Sequence, residues 1–290
     1  MTRVLFIVNP IAGKGIVKSD LSSAFSRCRF EWTSVQTEYP GHAYELARGS
    51  DADIIVAVGG DGTVNEVARA LVGTGKVLGI VPRGSGNGLA LHLGYSLIPG
   101  RAVDSINAGK VSTIDSAQFN GHPFFCTSGV GYDAFVSERF AQVGKRGFKT
   151  YVEEALKSWK NYKAATYTIE MDDCTVKSRA MFVTVANSNQ WGNNGRIAPG
   201  ASLQDGLLDV VVVDEIGFDI LNIINASALV ALLFARKIDK ASKYHLYRSK
   251  KVKITASEDG PAHVDGDPIS DPGRELTFSI CPSSLKVIVP

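Results

Sequence analysis

Three apolar runs in this 290-residue chain each end in a glycine-bearing loop: VLFIVNPIAGKG from Val4, IIVAVGGDGT from Ile54 and VLGIVPRGSGNG from Val77. Glycine lets backbone approach an anion closely, and a helix starting just after such a loop offers free N–H groups and the positive end of its dipole. One such turn can be purely structural, but three along one sheet edge point to phosphate binding. Two familiar fingerprints are excluded. NPIAGKGI lacks the G-x-x-x-x-G-K-[ST] spacing, and no loop gives G-x-G-x-x-G followed by an acid about 20 residues on. Asp61 is the unexpected member. A carboxylate beside phosphates is repulsive unless a cation or a proton in transit stands between them, and phosphoryl transfer supplies both. The same residue type also caps helices, and the two roles can coexist. Asp265 and Asp267 stand in VDGDP, a stretch that also suits a tight turn. The histidines are not grouped at metal-ligand spacing, and Ser85 has no nucleophile elbow around it.

The elements that must position these loops follow from periodicity. VLFIV (4–8), IIVAV (54–58) and VLGIV (77–81) are continuous and branched, as in strands buried on both faces, and FEWTSVQT (30–37) alternates. Val64, Val67, Ala68, Leu71 and Val72 repeat at helical spacing after the second loop. Alternating strands and helices predict a parallel sheet, and ligands of such sheets bind at the carboxyl edge, where all three loops emerge. Beyond about Thr113 the texture becomes TYTIEM (166–171), AMFVTVAN (180–187), LLDVVVVD (207–214), KVKITA (251–256), ELTFSI (275–280) and LKVIV (285–289). Strands with few intervening helices predict a mostly antiparallel second domain. Two helices are expected within it, Phe148–Asn161 and about Phe218–Asp239. The fold class is therefore an α/β N-terminal domain over 1–115 and a β-rich C-terminal domain over 116–284.

Composition narrows the function. Hydrophobic content of 44%, charged content of 21% and a net charge of +2 describe a globular chain without the charge of a nucleic-acid binder. Cys28, Cys126, Cys174 and Cys281 have no paired spacing and read as buried free thiols in a reducing compartment. The N-terminal residues enter a strand pattern with no secretory leader, so a cytoplasmic protein is expected. The apolar stretch 216–234 is interrupted by Asp219, Asn222 and Asn225. It reads as a core helix or a membrane-touching wall, and no transmembrane segment is expected.

The order NPIAGKG (9–15), GGDGTVNEV (59–67), PRGSGNGLA (82–90), GVGYDA (129–134), IAPGASLQDGLLDV (197–210) and VDGDP (264–268) resembles the diacylglycerol kinase catalytic family of lipid kinases, which also holds sphingosine and ceramide kinases. The resemblance spans essentially the whole chain. It implies a nucleotide-binding first domain, a β-sandwich-like second domain, a cleft between them as active site, and a return of about 285–290 to the first domain. It further implies that Asn9, Pro10, Ile11, Ala12, Gly13, Thr37, Gly59, Gly60, Asp61, Gly62, Thr63, Val64 and Asn65 hold ATP, with Gly84, Ser85, Gly86 and Asn87 near its phosphates and Arg146 meeting phosphate. Asp205, with carbonyls of Ser202 and Leu207, resembles a structural Mg²⁺ site distinct from the Mg²⁺ on ATP, and Asp133 resembles a residue near the lipid head group. The proton acceptor falls at Asp267. Most of the family carries Asp-Gly-Glu where this chain has Asp265-Gly266-Asp267, and the shorter side chain leaves Asp61 as a competing base, with Asp265 acting through the metal.

The function implied is ATP-dependent phosphorylation of a lipid hydroxyl, on a diacylglycerol or sphingoid-type substrate met at a membrane surface. The GSGNGLA loop resembles the sphingosine and ceramide kinase branch, which bears on ancestry more than on lipid choice. An NAD kinase-like phosphotransferase and a non-catalytic nucleotide-binding homologue are the alternatives. A homodimer is left open. Asp61→Asn and Asp267→Asn are each expected to lose turnover with an unchanged melt, and Gly60→Val to damage ATP binding.

Overall fold

The structure is a computed structural model that describes residues 2–13, 18–143, 155, 158, 159, 162–216 and 228–290. It divides into two compact units, Met1–Ser116 with Pro282–Pro290, and Ala117–Cys281.

The first unit runs β1 (Arg3–Val8), α1 (Lys18–Phe25), β2 (Glu31–Gln36), α2 (His42–Gly49), β3 (Ile54–Gly59), α3 (Asp61–Leu71), β4 (Val77–Pro82), α4 (Gly88–Leu93) and α5 (Pro99–Ala108). β2, β1, β3 and β4 lie side by side, all parallel. Every residue of β3 is buried, as its unbroken branched run requires, whereas the edge strand β2 is mostly exposed. Helix α3 buries Val64, Val67, Ala68 and Leu71, the face marked by their spacing.

β5 (Val111–Phe119) leads into the second unit, which continues with β6 (His122–Phe124), β7 (Thr127–Gly131), α6 (Tyr132–Val143), β8 (Ala165–Met171), β9 (Thr175–Ala186), the short hairpin β10 (Gln190–Gly192) and β11 (Gly195–Arg196), β12 (Leu208–Asp214), β13 (Tyr244–Ser249), β14 (Lys251–Ala256), β15 (Ala262–Val264) and β16 (Asp267–Ile269). Pairing among the longer strands of this unit is antiparallel. β9 and β12 are its centre. Val183, Val185, Val210 and Val212 point into one core with Phe119, Tyr167, Ile254 and Phe278, while Phe182, Ala186, Val211 and Val213 point into another with Tyr132, Ile197 and Ile238. Two buried faces explain why these strands read as continuous apolar runs.

Two sequence expectations need correction. ELTFSI and LKVIV belong to one strand, β17 (Glu275–Ile288). Its first part pairs antiparallel with β14 and Lys286 and Val287 pair parallel with β4, so a single strand serves both units. Of the cysteines only Cys126 is buried; Cys174 is exposed and Cys28 and Cys281 are intermediate. The expected helix Phe148–Asn161 lies largely outside the described residues. Of the expected helix Phe218–Asp239, residues 228–234 are helical and a short 3₁₀ turn covers Ile238–Lys240. Leu229 and Leu233 are buried in the second core, and Val230 and Phe234 face outward. No helix among the described residues is long and apolar enough to cross a membrane.

Candidate active site

The three glycine loops are tied into one wall at the carboxyl edge of the parallel sheet. Asn9 N–H donates to Val58 O at 3.0 Å, and its Nδ2 donates to Thr63 Oγ1 at 3.1 Å, so the first loop is pinned to the second. Asn9 Oδ1 accepts from Ile11 N–H at 3.1 Å, which sets the turn through Pro10, Ile11 and Ala12 to Gly13. Gly13 has φ +67, a left-handed conformation that favours glycine. Thr37 is placed at the root of this loop by its N–H bond to Val8 O at 2.9 Å. The third loop joins the second through Arg83 N–H to Gly59 O at 2.7 Å. The approach is closest between Gly60 and Gly84, where a Cβ on Gly84 would stand 2.5 Å from Gly60 Cα. Asn87, left-handed at φ 53, closes the third loop on itself: its Oδ1 accepts from Gly84 N–H at 2.7 Å and its Nδ2 donates to Gly84 O at 2.7 Å. Ser85 is exposed at the tip, beside Gly86.

Asp61 is the keystone of this wall. It is the first residue of α3, whose N-cap, Gly60, has no side chain with which to cap the helix. Its Oδ2 accepts from Asn87 N–H at 2.8 Å and Oδ1 from Gly88 N–H at 2.6 Å, so it caps α4 and fastens the third loop to the second. Burial pushes its carboxyl above the usual range, and the N–H groups of Gly88 and Asn87 pull it back. Glu66, one turn on, does the same for α2, its two oxygens accepting from Gly41 and Ala43 N–H at 2.9 and 3.1 Å. Helix α3 thus presents Gly60, Gly62, Thr63, Val64 and Asn65 at an N-terminus whose flanking helices are stapled to it.

In the second unit, Asp265 is also occupied. It sits at φ +49, and its carboxylate accepts from the N–H groups of Phe125, Cys126 and Thr127 at 3.0, 2.7 and 3.1 Å. Asp265→Ala removes the acceptor for three backbone donors and strains a left-handed position, so it should cost on the order of 3 kcal/mol, read as a lowered denaturation midpoint. Asp267, two residues on, is exposed at the start of β16. Asp133 is buried and engaged within the protein: Thr184 Oγ1 donates to Oδ2 at 2.7 Å, His263 Nε2 lies 3.1 Å from the same oxygen, and Ala134 N–H donates to Oδ1 at 2.8 Å. His263, in β15 two residues before Asp265, is the partner that sequence spacing left unassigned.

The DGLLD turn carries oxygen donors suited to a hard cation. Asp205 Oδ1 accepts from Leu207 N–H at 3.2 Å, and Ser202 Oγ accepts from Gln204 N–H at 3.2 Å. Asp209 is buried, and its Oδ2 has no hydrogen-bond partner among the described residues. An orphaned buried carboxylate oxygen near Asp205, with backbone carbonyls in the same turn, fits Mg²⁺. Arg248 supplies charge here as well, with Nε 3.2 Å from Asp209 Oδ1, Nη1 3.8 Å from Asp205 Oδ2 and Nη2 donating to Gly200 O at 3.1 Å. Burial raises the Asp209 carboxyl and Arg248 counters it. Among the described residues no cluster of three or more His, Cys, Asp or Glu could hold a metal, so a cation here would depend on the carbonyls. Arg146 lies outside the described residues.

Arg83 was not singled out by sequence. It is buried between the first and third loops, its Nε lacks a hydrogen-bond partner among the described residues, and burial lowers its guanidinium. The signal was present as a basic residue directly before GSGNG.

Comparison with known proteins matches these features to named relatives. The diacylglycerol kinase catalytic domain model matches residues 3–119, and the YegS C-terminal NAD kinase beta sandwich-like domain model matches residues 127–289. An uncharacterized protein of Synechocystis sp. is 30% identical over 98% of this chain and 69% of its own length. The diacylglycerol kinase of Bacillus subtilis is 28% identical over 92% of this chain and 90% of its own. A crystal structure of a diacylglycerol kinase from Bacillus anthracis shares the fold, with a TM-score of 0.74 at 20% identity, covering 99% of this chain and 97% of that one. With both units matched in order and the glycine-loop wall in place, the chain belongs to the diacylglycerol kinase catalytic-domain family, with a YegS-type NAD kinase beta sandwich-like C-terminal domain.

Proposed function

We propose that this protein is an ATP-dependent lipid kinase that transfers the γ-phosphate to a hydroxyl of a diacylglycerol or sphingoid-type lipid. The observation that carries the proposal is the fastening of three glycine loops by Asn9, Asp61 and Asn87, which brings them together with the N-terminus of α3 along the carboxyl edge of a parallel sheet. In this reading Gly60–Asn65 and Gly84–Asn87 hold the polyphosphate and Asn9–Gly13 with Thr37 flank the nucleoside. Bound Mg²⁺ would neutralise charge on the transferred phosphoryl group, and a second, structural Mg²⁺ would be held by Asp205 with carbonyls of Ser202 and Leu207. Asp133, held by Thr184 and His263, shapes the lipid side.

Asp267 is the proton acceptor in this proposal. Asp61 and Asp265 are held by two and three backbone hydrogen bonds, and taking up a proton would loosen those fastenings. Asp267 is exposed. Asp267→Asn should therefore lower kcat by about 100-fold or more while ATP affinity and the thermal melt stay at wild type. A variant with unchanged kcat would remove Asp267 from the chemistry.

The acceptor is tested by incubating the protein with ATP, Mg²⁺ and mixed micelles of diacylglycerol or sphingosine, with NAD offered in parallel. Phosphorylated lipid supports the proposal. NADP formation without lipid phosphate would replace it with an NAD kinase reading. A protein of this function works in the cytoplasm in peripheral contact with a membrane.

A further inference from the structure

Arg83 stands where the three loops converge. Its backbone N–H is bonded to Gly59 O, at the mouth of the second loop. Its side chain runs beneath the first loop, where a Cβ on Gly13 would lie 3.2 Å from Arg83 Nε and 3.4 Å from Arg83 Cβ. The residue is only 8% exposed. Its Nε finds no acceptor among the described residues, and none of their carboxylates pairs with it. The one acid of the wall, Asp61, is taken by the N–H groups of Asn87 and Gly88. A guanidinium whose Nε is buried without an acceptor among the described residues is costly, and a ligand anion would offset that cost. The planar fork of arginine matches phosphate oxygens in pairs. We infer that Arg83 is a phosphate-positioning residue of the nucleotide site, with a polyphosphate as the anion its buried guanidinium receives. This rests on the nucleotide-binding reading above and adds a residue to it. Gly13 then has a second reason to lack a side chain, because a Cβ there would displace the guanidinium from beneath the loop.

The test is equilibrium binding of ATP and AMP to the full-length wild-type, Arg83→Gln and Arg83→Lys proteins by calorimetry, with melts recorded for each. Arg83→Gln should weaken ATP by about tenfold or more and AMP by clearly less, and Arg83→Lys should recover part of the loss. ATP affinity within twofold of wild type in a folded Arg83→Gln protein, or equal losses for ATP and AMP, overturns the inference and leaves the kinase reading standing. A wild-type protein that does not bind ATP overturns both. Should Arg83→Gln not fold, the wild-type protein is treated with phenylglyoxal and Arg83 followed by peptide mass spectrometry. ATP should protect it, and modification at an unchanged rate with ATP bound contradicts the role.

Discussion

Gly84→Ala is expected to weaken ATP binding by about 100-fold and to lower stability by about 2 kcal/mol. The added Cβ would sit 2.5 Å from Gly60 Cα, 3.0 Å from Asn87 Oδ1 and 3.5 Å from Asp61 N. The first contact sets the new Cβ against backbone, so no side chain can swing away. The second and third loops must part, and in parting they stretch the Asp61 bonds to Asn87 and Gly88 and the Asn87 bonds to Gly84. A displacement near an ångström in groups that position a reacting phosphate is enough for a loss of that size. Gly49→Ala is the control, since a Cβ there meets nothing within 4 Å and the residue ends α2, away from the loops. It should bind ATP as wild type does. Calorimetry and melts on both variants decide the matter, and wild-type ATP affinity in Gly84→Ala would mean that the loops do not act as one wall.

Asp61→Asn should lower stability by roughly 2 kcal/mol and weaken ATP by about tenfold. One carboxylate oxygen becomes an NH₂ group facing a backbone N–H, either of Asn87 or of Gly88, and an acceptor is replaced by a second donor. The third loop is then fastened at one point in place of two. From sequence the same substitution was expected to lose turnover with an unchanged melt. The structure separates the two acids: the melt should fall for Asp61→Asn and hold for Asp267→Asn. A thermal scan of the two variants side by side reads the difference, and an unperturbed Asp61→Asn melt would contradict the keystone role.

The parallel strands and α3 were legible because hydrophobic periodicity reports burial, and β1, β3 and α3 are buried in the pattern their sequences carry. The glycine loops were legible as loops. The partners of Asp61 were not, because Asn87 and Gly88 lie more than twenty residues away and meet it only through the sheet register that aligns Gly59 with Pro82. His263 and Asp133 are separated by an even longer stretch and meet through the pairing of β15 with β7. Helix α5 went unread although Pro99 at its first turn and Gly109 after its last residue are ordinary start and stop signals. The strand β17 was split in two because Cys281-Pro282-Ser283-Ser284 resembles a turn, and Ser283 does take φ +50 within the strand. Arg83 was passed over because a basic residue beside a glycine loop is common on surfaces, and only its burial against Gly13 distinguishes it.

The central claim, that the loop wall serves phosphoryl transfer to a lipid, is tested most directly by incubating a total lipid extract with the protein, γ-labelled ATP and Mg²⁺, and following label into the organic phase with mass spectrometry of the products. The account predicts a labelled phospholipid whose mass exceeds that of a hydroxyl-bearing lipid in the extract by one phosphate, lost in Asp267→Asn and in Gly84→Ala. An organic phase without label, from protein shown to bind ATP, would contradict it.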